Sequence, residues 1–302
     1  MRRPPLLLLT SLALVALGAT SAQAATVQIE CDASHRAPDD PIVFPGQPGA
    51  AHMHEFFGNT STKARSTYRS MRGKPTTCEF PGDTAAYWAP SMYDSDGQLI
   101  PARRMSVYYR DRPQESRDVT PFPRNFRMIA GSPHPDVWGF NCDGTSLSRT
   151  ALIDCSGESE GHTYVRATVI FPNCGKLDGD GKIVKDSADH RRHVAYPISA
   201  SAGCPASHPV QLPHVKFNVR YDVSDCIAAG CRLSSDMGAA CAGNGCSLHA
   251  DFWNTWNQKA LVNLVRSRLN SLGEADGTDT PPVETIGLEP TTPCLQSRCS
   301  TN

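Results

Sequence analysis

His214-Val215-Lys216-Phe217-Asn218-Val219-Arg220-Tyr221-Asp222-Val223 alternates apolar and polar residues without a break. Val215, Phe217, Val219, Tyr221 and Val223 share one face, while His214, Lys216, Asn218, Arg220 and Asp222 share the other. A period of two is that of a half-buried antiparallel strand, because successive side chains of extended chain point to opposite sides. Working outward, Thr163–Phe171 repeats the pattern with Val165, Ala167, Val169 and Phe171 inward. Met105, Val107 and Tyr109 give a shorter version, preceded by Tyr87–Tyr93 and the turn Asp94-Ser95-Asp96-Gly97. Phe126–Ile129 and Val137–Asn141 read as strands as well. One helix is expected: Asn257 caps it, Leu261, Leu264, Val265, Leu269 and Leu272 line one face, and Gly273 ends it. Many strands, Gly/Pro-rich turns and one late helix predict a mainly β chain. The expected form is an antiparallel, jelly-roll-like β-sandwich of one domain with long loops and several disulfides.

The two ends read differently from the middle. Met1-Arg2-Arg3, the apolar run Leu6–Leu17 and Ala22-Gln23-Ala24 have the order of a signal peptide over residues 1–24. The run is too short to anchor a chain in a bilayer. Secretion to the extracellular space and no membrane span are therefore expected. Residues 25–274 form the β-rich domain, and from 275 to 302 Thr, Pro, Asp and Glu dominate, as in a tail. Lys+Arg is 29 and Asp+Glu is 30. Loss of Arg2 and Arg3 with the leader moves the formal charge from −1 to −3. No block of basic residues appears, which excludes a nucleic-acid footprint. The chain is read as a monomer.

Twelve cysteines in an exported chain read first as disulfides, and no C-x-x-C pair suggests zinc or redox use. Pairing of sequence neighbours would give 31–78, 142–155, 174–204, 226–231, 241–246 and 294–299.

Three histidine-bearing segments stand out. In Ala51-His52-Met53-His54-Glu55, His52 and His54 point the same way if extended, the geometry two imidazoles need to grip one metal ion or ligand. Ser187-Ala188-Asp189-His190-Arg191-Arg192-His193 is flanked by polar turns, and in Ser247-Leu248-His249-Ala250-Asp251 the histidine and aspartate again alternate onto one face. Together they offer ligands for a divalent metal ion, or a general base with a carboxylate to orient it. The plainer alternative is that these groups only tie loops together by hydrogen bonds. His35, His134, His162 and His214 are isolated. Asp178-Gly179-Asp180-Gly181 lacks the closing glutamate of a calcium loop and reads as a turn. Trp88, Trp138, Trp253 and Trp256 could line a sugar-stacking surface, although packing is the default for tryptophan. Neither a G-x-S-x-G elbow, a phosphate loop, H-E-x-x-H nor a dinucleotide fingerprint occurs.

Ala51–Asn59, Ala86–Pro90, Phe126–Gly131, Phe171–Cys174, Asp186–Pro197, Cys204–Pro213 and Leu248–Trp256, in that order, resemble a family of secreted fungal and bacterial proteins, DUF1996. Asp189-His190-x-x-His193-Val194-Ala195-Tyr196-Pro197 and Cys204-Pro205-x-x-His208-Pro209 are the most specific parts. The resemblance covers about Ile42 to Trp256. Members are often fused to polysaccharide-binding or cell-wall modules, so it implies a carbohydrate target and carries interest to His208 as well. Many members have Trp-Asp-Gly after the cysteine matching Cys174; Gly175-Lys176 stands here.

Three readings follow. In the first, the chain is a polysaccharide-active enzyme with His54, Asp189, His190, His193 and Asp251 as catalytic groups and His52, His208, His249 and Trp253 as substrate contacts. In the second it only binds carbohydrate or the cell envelope. In the third it binds a metal through His52 and His54. The enzyme reading requires the three histidine segments to meet in one pocket.

Overall fold

The computed structural model of the protein describes residues 26–110, 118–134, 136–142, 145–199, 202–238 and 244–270. The leader, the tail, Leu272, Gly273, Cys241, Cys294 and Cys299 lie outside the described residues. Nine strands form one antiparallel sheet: β1 (Thr26–Ala37), β2 (His54–Gly58), β3 (Ala86–Pro90), β4 (Ala102–Arg110), β5 (Arg127–Gly131), β6 (Trp138–Asn141), β7 (Val165–Ile170), β8 (His214–Tyr221) and β9 (His249–Trp253). Their order across the sheet is β5-β9-β3-β2-β1-β4-β8-β7-β6.

The sheet folds over on itself through β1. Thr26–Asp32 pairs with β4, whereas Ala33–Ala37 pairs with β2, with a register shift between Ala33 and His35. A bulge at that point bends the strand, so one strand serves both layers of a nearly closed sandwich. Its first half alternates Val27, Ile29 and Cys31 inward, but its second half is polar, and the sequence pattern does not reveal it as a strand.

The layers meet through the residues the alternation marks. Val215, Phe217, Val219 and Tyr221 of β8, Val165, Ala167 and Val169 of β7, and Met105, Val107 and Tyr109 of β4 are all buried. They face Phe57, Tyr87, Met128 and Phe252 from the other layer, with the Tyr87 and Phe217 rings 5.2 Å apart. Each such side chain contributes roughly 1.5–3 kcal/mol by leaving water.

The β5-β9-β3-β2 layer is buried on its second face too. Phe56, Trp88, Ile129 and Trp253 point outward there and pack against Ile42 and Met71 from the connection before and after β2. All five residues of β2 and of β3 are buried.

Disulfides join Cys31–Cys78, Cys142–Cys155, Cys174–Cys204 and Cys226–Cys231, and Cys246 is also disulfide-bonded. Helix α1 runs Gln258–Leu264 and continues as a wider turn over Val265–Leu269. Asn257 caps it by accepting from the amides of Lys259 and Ala260, and Leu261, Leu264, Val265 and Leu269 are buried. No helix among the described residues is long and apolar enough to cross a membrane.

Candidate functional site

On the outer face of the second layer, the period of two sets a row of unlike character. His54 and Phe56 of β2 point outward, as do Trp88 of β3 and His249, Asp251 and Trp253 of β9; Ala250 and Phe252 point into the core. His54 lies opposite Pro90, Phe56 opposite Trp88, and Trp88 opposite Asp251. Continuing that register by two residues sets His249 on the far side of Pro90. His54 and His249 thus flank a short proline ring, over which their imidazoles lean to within 5.8 Å between centroids. His52, just ahead of β2, completes a triangle, its ring 4.1 Å from that of His54 and 5.0 Å from that of His249. The facing nitrogens of the three all lie within 4.8 Å of one another.

Local structure fixes these rings. His54 Nδ1–H donates to the carbonyl of Asp39 at 3.0 Å, and His249 Nδ1–H donates to that of Ser247 at 2.9 Å. Each bond selects the tautomer whose Nε2 lone pair is free. The chain is tight behind His249: Gly131, at φ +99°, has the Leu248 carbonyl 2.5 Å from where a Cβ would stand. The connection ahead of β2 is folded down by its own aspartates. Asp39 accepts from the amides of Gly49 and Ala64, and Asp40 accepts from those of Ile42 and Val43. This sets the Asp40 carboxyl beside His54 and Asp251, with ligand atoms of the three again within 4.8 Å.

The electrostatics follow from burial. Desolvation, with His249 close by, lowers His52 to about 3. Desolvation likewise lowers His249 to about 4, against the hydrogen bond to Ser247, and holds fully buried His54 far below the ordinary imidazole range. All three are neutral at neutral pH. Burial, reinforced by Asp40, pushes the Asp251 carboxyl well above the usual carboxylate range, while Arg191 opposes it. Among the described residues neither oxygen of Asp251 has a hydrogen-bond partner, nor has Nε2 of His52 or of His54. His249 Nε2 stands 4.0 Å from Asp251 Oδ2.

His52, His249 and Asp251 form the floor of a cavity of about 410 Å³, with His54 fully buried behind them, and Asp40, Val43, Phe44, Ser132, Asp189, His190 and Arg191 wall it. All three histidine segments therefore reach one opening. Within the second segment the side chains part. His190, at φ +56°, faces the cavity and pairs with Asp186 at 2.7 Å, which also binds Arg127. Asp189 sits at the rim; burial opposes its charge, but the amides of Arg192 and Arg191, the Ser187 hydroxyl and the Arg192 guanidinium together hold it below the ordinary carboxylate range. His193 turns away. Its Nε2–H donates to the Arg127 carbonyl at 2.7 Å and its Nδ1 lies 3.0 Å from Ser187 Oγ, so it pins the loop to β5.

His208 lies apart, held by the Arg192 carbonyl. Trp253 is buried beneath Arg127 and donates to Asn125, away from the cavity lining. All four tryptophans are buried, so none offers a face to a sugar. Asp178 accepts from the amides of Asp180 and Lys182, a plain turn. Two residues of the site escaped the sequence reading. Asp40 lies in an irregular loop, where only the Asp39-Asp40-Pro41 turn signal marks it, and nothing in the spacing of His190-Arg191-Arg192-His193 gives Arg191 a role.

The molecule is thus a disulfide-stapled antiparallel β-sandwich with a histidine–carboxylate pocket on one outer sheet face. The model of the family described as Domain of unknown function (DUF1996) matches residues 40–256, and the chain belongs to that family. The match runs from Asp40 of the cluster to Trp256, spanning every pocket residue. No curated protein and no solved structure matches the chain.

Proposed function

We propose that His52, His54, His249 and Asp251 form a transition-metal centre, and that the chain is a secreted, metal-dependent enzyme acting on extracellular polysaccharide. One observation carries this reading: the His52, His54 and His249 imidazoles converge within 4.8 Å, Asp251 lies within 4.8 Å of His54, and among the described residues Nε2 of His52 and His54 and both Asp251 oxygens are buried without partners beside an open cavity. Leaving such groups unpaired costs ~1–3 kcal/mol each, a penalty that a purely structural site avoids by pairing them. Imidazole suits zinc, copper, iron and nickel, and the fixed Nε2 lone pairs are the form that ligates. Ligands about 2 Å from one ion require closure of the triangle by roughly 1 Å, within side-chain motion. The cavity side stays open, as a catalytic rather than a structural metal requires. His190, oriented by Asp186, is the general base at the rim, and Asp189, held as a carboxylate, positions substrate. Export is supported by the leader-like start of the chain and its disulfides; the polysaccharide target is supported by the open cavity and by the modules fused to family members.

Metal analysis of protein purified without chelators tests the centre. One ion per chain is expected in the wild type and none in His54→Ala or Asp251→Asn. Re-addition of the ion to chelator-treated protein at 100 times its Kd should add about 2.7 kcal/mol of stability, several degrees in Tm. Protein without stoichiometric metal, unmoved in Tm by zinc, copper or manganese, would sink the proposal.

A further inference from the structure

A second cavity, about 490 Å³, opens beside the first and shares Ile129 and Arg191 with it. Its remaining walls are Pro133, His134, Pro172, Val194, Ala195 and Tyr196. The two cavities differ in charge. Asp40, Asp189 and Asp251 line the first, whereas among the described residues Arg191 is the single charged side chain lining the second.

Arg191 is aimed rather than consumed. One of its Nη groups donates to the Ser132 carbonyl at 3.2 Å, which holds the guanidinium at the junction, and among the described residues no carboxylate lies within salt-bridge distance of it. A half-buried guanidinium without a carboxylate has donors left for one, in the planar fork that matches it. Tyr196 supplies an apolar face. Its hydroxyl is spent on the Ile170 carbonyl at 2.8 Å, and its ring lies 4.5 Å from that of His134. Ring faces of this kind cover the apolar face of a sugar, the service that none of the buried tryptophans can give.

We propose that the second cavity is a subsite for an acidic sugar, its carboxylate held by Arg191 and its ring lying on Tyr196, so that the polysaccharide taken by this chain is an acidic one. The inference rests on the polysaccharide reading above and narrows it. An acidic unit in the second cavity leaves its neighbour over the histidine cluster and keeps its own charge away from Asp40 and Asp251.

The test measures binding of trigalacturonate and of its neutral counterpart, galactotriose, by calorimetry on the full-length metal-replete chain, with metal content assayed in parallel. The wild type should bind the acidic trimer at least about tenfold more tightly, and that preference should shrink as salt is raised. Arg191→Gln should lose the preference while keeping its metal, and Arg191→Lys should keep part of it. A wild type that holds metal yet binds both trimers alike, or neither, overturns this proposal and leaves the metal centre standing. A preference that survives in Arg191→Gln also overturns it. Absence of metal from a wild type that still prefers the acidic trimer overturns the metal centre alone.

Discussion

The two faces of the β5-β9-β3-β2 layer both carry buried polar groups and treat them in opposite ways. On the inner face Tyr87 donates to the Asp83 carboxylate, the Tyr87 and Tyr109 hydroxyls meet at 2.7 Å, and Trp256 Nε1–H donates to Tyr109 at 2.9 Å. Glu55, next in sequence to His54, is buried but paired with Arg36 and Ser91. On the outer face His52, His54 and Asp251 leave four buried polar atoms without partners. The fold thus satisfies one set of buried groups and leaves the other open across a single strand thickness, and the open set is the one a bound ion would satisfy on the reading proposed above.

That contrast breaks most sharply at Trp256. Trp256→Ala removes a large side chain packed against Phe80 and Tyr109 and leaves the Tyr109 hydroxyl with Tyr87 as its remaining partner. Denaturant unfolding should show a loss of about 3–5 kcal/mol, while the molecules that remain folded hold metal as before. An Asp251→Leu change on the outer face should do the reverse. It deletes a buried carboxyl that has no partner, so the metal-free protein should be unchanged in stability or gain about 1 kcal/mol, while its response to added metal vanishes. A large loss in the metal-free state would make Asp251 a structural residue after all.

Acid sharpens the difference further. His52, His54 and His249 have folded-state values below the ordinary 6.5, so the unfolded chain takes up protons first as pH falls. The stability these groups contribute to the metal-free protein is then full above pH 6.5 and is lost as pH falls, down to about 4 for His249 and about 3 for His52, by up to ~1.4 kcal/mol per pH unit for each imidazole that stays neutral. Asp251, raised by burial, works against this by favouring its protonated form in the fold. Its loss in Asp251→Leu should therefore steepen the acid slope, and His54→Ala should flatten it. Tm measured against pH on chelator-treated protein reads both, and identical slopes in the two variants would remove the distinction between the faces.

Most of the sheet was legible because its strands are half buried. The alternation of His214–Tyr221 names the inward residues one by one, since water on one side and core on the other impose the period. The same rule brought His52 with His54, and His249 with Asp251, to common sides. It failed at β1, whose polar second half is a strand only because β2 lies ready to pair with it. It was silent on Asp40, whose position depends on an irregular loop. Nor could spacing separate His190 from His193: they sit in one turn, where a single backbone residue at φ +56° sends one imidazole to the cavity and leaves the other on the Arg127 carbonyl.

The register places β9 between β3 and β5, although the chain reaches it last among the nine strands. His249 and Asp251 thus arrive at His52 and His54 only after the intervening chain has been laid down, and contacts so distant in sequence close slowly. On the metal reading, an ion would meet its full set of ligands only once β9 has docked between β3 and β5.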